Sequence, residues 1–124
     1  MTKVIVINSE KQTIEFAEIS NYKDIYPLIG NDCNTFSVPV EFENRDALYC
    51  DDEALYHPYQ GGIIMPDWNY PIVGNFVIVG TDEDGENQDA QSTIEELRNN
   101  IRFLNKSEIA SWGRPQIEVF SLFF

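Results

Sequence analysis

Three basic side chains, Arg98, Arg102 and Lys106, stand at i, i+4 and i+8 in a chain that is otherwise strongly acidic. On one continuous helix, residues at that spacing drift only slowly around one side. Such a row can grip an anionic ligand, with Arg suited to bidentate phosphate contact. Arg114 follows closely, and Trp112 offers a ring on which a base can stack. Further rings lie between positions 56 and 70, among them Tyr56, Tyr59, Trp68 and Tyr70. Arg98, Arg102, Lys106, Arg114 and Trp112 therefore form the candidate ligand-binding set. The competing account pairs these cations with Glu95, Glu96 or the acidic loop before them. The Glu95/Arg98 spacing allows a helical pair worth about 0.2–0.5 kcal/mol, and exposed pairs of this kind are usually minor.

Other reactive residues make weaker constellations. Cys50 and His57 suggest a nucleophile and its base, but that chemistry needs hydrogen-bond reach, an orienting group and oxyanion donors. A Cys within a strand is more often a small buried apolar residue. No catalytic residue is assigned, and the chain is not expected to be an enzyme. Cys33, Cys50 and His57 lack a CxxC or a paired His at ligand spacing, so no metal site is expected. Asp82, Asp84 and Glu86 look briefly like a calcium loop. Placing Gly85 at its sixth position puts Gly80 first and Gln91 twelfth, where acidic ligands belong. With no G-x-x-x-x-G-K phosphate loop either, no cofactor is expected.

The charge narrows the partners. There are 21 acidic residues against 8 Lys plus Arg, a formal net charge of -13. From Asp46 to Leu97 acids stand with no Lys or Arg among them. That field repels nucleic-acid backbones and anionic membrane surfaces. It leaves two partner classes: a small anionic ligand held in a local basic pocket, or a basic protein. A local basic pocket in an acidic protein selects a compact anion over a long polyanion, which the wider field repels. The plainest role for the acid is solubility.

The elements that must position these residues follow from patterning. At 124 residues, with 43% hydrophobic side chains, the chain suits one domain spanning 1–124. No apolar run is long enough for a membrane span or a secretory signal, and two cysteines make no disulfide framework. A soluble, cytoplasmic protein is expected. Lys3 to Asn8 and Thr13 to Ile19 read as strands joined by a four-residue hairpin connection. Asn21 caps a short helix over Tyr22 to Ile29, tightened by Pro27 and ended by Gly30. Thr35 to Phe42 is a strand at an edge, because it contains Pro39, and Ala47 to Cys50 is its neighbour. Residues 51–70 form a long aromatic loop or a pair of short irregular strands. Ile72 to Val79 is apolar on both faces and predicts a central strand. Residues 80–91 form an exposed loop. Ser92 with Glu95 has capping-box spacing, opening a helix to about Asn105 with Ile94, Leu97, Ile101 and Leu104 on one face. A short helix over Lys106 to Trp112, closed by Gly113, and a strand from Pro115 complete the chain. The apolar end, Val119 to Phe124, needs a partner strand, which predicts a homo-oligomer. The fold expected is α+β: a mixed, mostly antiparallel sheet covered on one face by a short N-terminal and a longer C-terminal helix.

This layout resembles a family of small proteins of unknown function carried by phages, prophages and mobile elements. The resemblance rests on the Val4-Ile5-Val6-Ile7 strand and the short helix ending in Ile29-Gly30. It continues through the run from Ala47 to Leu55 and, most clearly, Val73 to Gly80, followed by an acidic loop and a helix. It covers roughly residues 3 to 103 and supplies no catalytic residues. It implies a phage setting, in the cytoplasm of a host cell. The function then expected is a non-catalytic accessory protein that sequesters a small nucleotide-like signal of host defence. The alternative is an acidic DNA mimic that blocks a nuclease or another DNA-binding host enzyme.

Overall fold

Two antiparallel sheets carry the fold in a computed structural model that describes residues 1–30 and 33–112. The larger sheet contains β1 (Thr2–Asn8), β2 (Thr13–Ile19), β3 (Phe36–Glu41), β4 (Asp46–Asp51), β7 (Phe76–Thr81) and β8 (Asn87–Gln88). Its order is β2-β1-β7-β4-β3, with β8 added beside β7. The smaller sheet has the order β6-β5-β9, from β5 (Gly61–Ile64), β6 (Ile72–Val73) and β9 (Arg102–Asn105). Three helices complete the described fold: α1 (Ile25–Ile29), α2 (Ile94–Asn100) and α3 (Lys106–Trp112).

The period of two explains the layers. Pairing of Ile5 and Leu48 with Ile78, and of Ile7 and Cys50 with Phe76, sets these side chains on one face. There they pack with Ile63, Met65, Leu97 and Ile101, so the smaller sheet and α2 cover this face. Val4, Ile19, Val77 and Val79 point the other way and pack against Ile25 and Ile29 of α1. Strand β7 is buried from both sides because it is central, as its composition requires. Helices thus cover both faces of the larger sheet, not one.

Several elements match the sequence pattern closely. The β1–β2 hairpin has the expected connection, in which Asn8 Oδ1 accepts the Lys11 N–H at 3.0 Å. Asn21 caps the first helical segment, a 3₁₀ turn over Tyr22–Asp24 that runs into α1. Strand β3, with Pro39, is an edge strand, and α3 spans Lys106–Trp112 as read.

Two elements differ. The apolar run from Ile72 to Val79 is two strands in two sheets, parted at Gly74, whose φ of 107° few other residues adopt. The helix expected to reach Asn105 stops at Asn100, and residues 102–105 pair with β5 instead. Asn99 and Asn100 are poor helix formers, and the Asn100 amide turns back to the Glu96 carbonyl at 2.8 Å. Its cap is Thr93, not Ser92: Thr93 Oγ1 accepts the Glu96 N–H at 3.1 Å. Residues 51–70 hold a 3₁₀ turn, Ala54–Tyr56, and strand β5. Gly113, the expected C-terminal strand and the Val119–Phe124 tail lie outside the described residues, as does Arg114. Among the described residues no helix is long and apolar enough to cross a membrane.

Candidate functional site

A cleft of about 650 Å³ opens between the end of β3, the segment after β5, and α2. Three distant parts of the chain build it. Glu41, Phe42, Glu43 and Asn44 come from the β3 end and the turn into β4, which Arg45 completes with a φ of 71°. Met65, Pro66, Asp67 and Trp68 follow β5, where the Trp68 N–H closes a turn on the Met65 carbonyl at 3.0 Å. Ser92, Glu96, Leu97 and Asn100 come from α2 and its approach. The side-chain amide of Asn44 donates to Ser92 Oγ at 3.0 Å, and Asp46 accepts the backbone N–H groups of Gln91 and Ser92, both at 2.8 Å. These bonds fix the first wall against the third.

The chemistry of the cleft is one-signed. Met65 and Leu97 are buried and Phe42 is half-buried, which gives an apolar floor. Glu41, Glu43, Asp67 and Glu96 are exposed around it, and among the described residues no Lys or Arg lines it. A Lys or Arg side chain suits such a site, with its methylene stem on the floor and its charge among the carboxylates. The half-buried Trp68 ring adds a face to which a cation is attracted.

A second cleft, of about 370 Å³, adjoins the first and is lined by Ile64, Met65, Pro66, Trp68, Asn100, Arg102 and Trp112. It brings together two of the residues singled out from the sequence, Arg102 and Trp112, and adds Trp68. Trp112 Nε1 donates to the Asn69 carbonyl at 3.3 Å. Arg102 lies 3.4 Å from Glu108 in an exposed ion pair. Arg98, on α2, and Lys106, at the start of α3, line neither cleft. The basic row is not formed, because the helix that would have carried it ends before Arg102. In the sequence Glu96 stands out only as a possible pair for a nearby cation, and Glu41, Glu43 and Asp67 only as charge. The one local signal for them is Asp67 beside Trp68 in a Pro-containing segment.

Cys50 and His57 are engaged elsewhere. His57 Nδ1 donates to Asp51 Oδ2 at 2.5 Å, and the Tyr59 hydroxyl donates to the same oxygen at 2.9 Å. Asp51 Oδ1 accepts the Glu53 N–H at 2.9 Å. Burial alone raises the Asp51 pKa, but the hydrogen bonds led by His57 outweigh it and hold the carboxyl below its usual value. Cys50 Sγ lies 3.4 Å from Ser37 Oγ, and burial pushes its thiol up. Burial, with Asp51 and Cys50 nearby, pushes Cys33 up to about 11. Thiols held protonated in this way are poor nucleophiles. Among the described residues no group of three or more His, Cys, Asp or Glu is placed to hold a metal ion.

Residues 1–102 match the family described as Domain of unknown function (DUF3846). No curated protein matches the chain, and no solved structure does. The match covers most of the chain, which therefore belongs to that family.

Proposed function

We propose that this member of the DUF3846 family is a non-catalytic binding protein whose acidic cleft takes a basic segment of a protein partner. One observation carries the reading: Glu41, Glu43, Asp67 and Glu96 surround an apolar floor, with no Lys or Arg in the wall among the described residues. The net charge of -13 extends the same attraction beyond the cleft and steers a basic partner toward it. Surfaces that DNA-binding enzymes use on phosphates have the matching chemistry. In the phage setting that the sequence resemblance implies, occupation of such a surface makes the protein an inhibitor that mimics DNA. The buried, protonated thiols argue against Cys33 or Cys50 as a nucleophile.

The test is titration of a fluorescent Lys/Arg-rich peptide into the protein at rising salt. Affinity should fall steeply with ionic strength. Joint replacement of Glu41, Glu43 and Glu96 by Gln should weaken binding at least tenfold. No binding at low salt, or full binding by the triple variant, removes the reading.

A second reading keeps a small nucleotide-like anion as the ligand, sequestered from a host defence signal. Its support is the meeting of Arg102 and Trp112 with Trp68 in one cleft, where a base can stack and a phosphate can meet the guanidinium. Thermal unfolding across mono-, di- and cyclic nucleotides tests it. A ligand at about one hundred times its Kd stabilises by roughly 2.7 kcal/mol, a shift of several degrees that Arg102→Ala should abolish. A panel without any shift disposes of it.

A further inference from the structure

The two clefts share a wall. Met65, Pro66, Trp68 and Asn100 line both, so a ligand passing along Trp68 leaves the carboxylate end and enters the end that holds Arg102 and Trp112. Taken as one groove, the pair therefore has opposite charges at its two ends, with an indole between them. A surface that imitated only a polyanion would gain nothing from Arg102, since a second basic residue of the partner would meet a like charge there. The guanidinium is also available. Its bond to Glu108 is long at 3.4 Å, and the two side chains are 66% and 41% exposed. Pairs of that kind contribute little and exchange readily. Glu108 keeps another bond when Arg102 leaves, because its Oε1 accepts the Asn105 N–H at 3.1 Å.

From this polarity we infer that the groove selects a partner segment of mixed charge. A Lys or Arg occupies the carboxylate end, an Asp or Glu meets Arg102, and an apolar or aromatic residue between them lies on Trp68. The inference rests on the proposed function in seating a basic residue among Glu41, Glu43, Asp67 and Glu96. It goes further by giving the segment a direction and a second charge. Charge complementarity at both ends fixes register, and the like charge at Arg102 acts against purely basic segments.

The experiment compares three short peptides, blocked at both termini so that only side chains carry charge. Each has a Lys and an intervening Leu-Trp. The position after these is Glu in the first peptide, Gln in the second and Lys in the third. At about 0.15 M salt, where surface fields are screened beyond roughly 8 Å, the Glu peptide should bind about fivefold tighter than the Gln peptide. The Lys peptide should bind more weakly than the Glu peptide. Arg102→Glu should invert the order of the Glu and Lys peptides, while Arg102→Gln should remove the advantage of the Glu peptide over the Gln peptide. Arg102 is exposed, so neither variant threatens folding. Equal binding of the Glu and Gln peptides, or an order unchanged by Arg102→Glu, overturns the inference and leaves the basic-segment reading standing. Failure of all three peptides to bind also overturns the inference, and the Lys/Arg-rich peptide at low salt then decides the basic-segment reading.

Discussion

The carboxylate of Asp46 accepts the backbone N–H of Ser92 at 2.8 Å, joining the start of β4 to the approach of α2 across 46 residues of chain. Its other oxygen takes the Gln91 N–H at 2.8 Å, and the residue is fully buried. A buried carboxylate with two backbone donors acts as a structural fastener, and here it sets Glu96 opposite Glu41 and Glu43. Asp46→Ala leaves both N–H groups without that acceptor. Hydrogen bonds to charged groups are worth about 1.5–3 kcal/mol each, so a loss of about 3 kcal/mol or more is expected in urea unfolding. Asp46→Asn, which can still accept one bond, should fall between wild type and Ala. An Ala variant as stable as wild type contradicts the role.

Asp51 gives a pH signature. Its folded pKa lies below the usual 3.8, so the unfolded chain takes up the proton first as pH falls. The contribution is therefore complete above the usual carboxylate value and is lost as pH falls through the lowered folded value. The stability gap between wild type and Asp51→Asn should shrink as pH falls below about 4. A gap that stays constant down to pH 2 contradicts the assignment.

The two thiols should be silent in the native protein. Cys33 and Cys50 are 6% and 5% exposed, and burial raises both pKa values. At pH 8 a chromogenic disulfide reagent should label neither within minutes and both once denaturant is added. Fast native labelling of Cys50 would reopen its use as a nucleophile.

Much of this architecture is legible in local sequence. The β-branched run Val4 to Ile7, the alternation from Thr13 to Ile19 and the Asn21 cap each carry their own signal, and each element appears where that signal puts it. Other features depend on tertiary choice. Ile72 to Val79 looks like one strand because both halves are apolar, and only the positive φ at Gly74 separates them. Leu97, Ile101 and Leu104 suit a continuing helix. They are equally well buried by a helix that ends at Asn100 and a strand that pairs with β5. The cleft is the least legible part. Glu41, Asp67 and Glu96 lie in separate segments, and the contacts that join the first to the third, Asp46 to Ser92 and Asn44 to Ser92, leave no periodic trace.

The break at Gly74 can be tested directly. An added Cβ there would lie 3.3 Å from the Tyr59 ring, on a backbone with φ of 107°. Gly85 has a φ of 84° but nothing within 4 Å of its Cβ position. Gly85→Ala should cost about 1 kcal/mol from backbone strain alone, within a range of about 1–3 kcal/mol for such residues. Gly74→Ala should cost measurably more, because the Tyr59 ring must also move. Equal losses in urea unfolding would mean that Tyr59 does not restrain the turn.

The groove carries its own reporter. The chain has two tryptophans, Trp68 and Trp112, and both line the cleft that contains Arg102. Trp112 is 36% exposed and Trp68 half-buried, so an occupant that covers them replaces water at both indoles. Binding of the mixed-charge peptide, made with Phe in place of its own Trp, should shift the protein's emission to the blue and protect it from acrylamide quenching. Trp68→Phe should remove much of the shift and weaken binding, because Trp68 forms the wall common to both ends. Trp112→Phe should reduce the shift and leave the preference for a basic residue at the carboxylate end intact, since Trp112 lines only the Arg102 half. Tight binding without any change in emission or quenching would place the peptide elsewhere on the acidic surface.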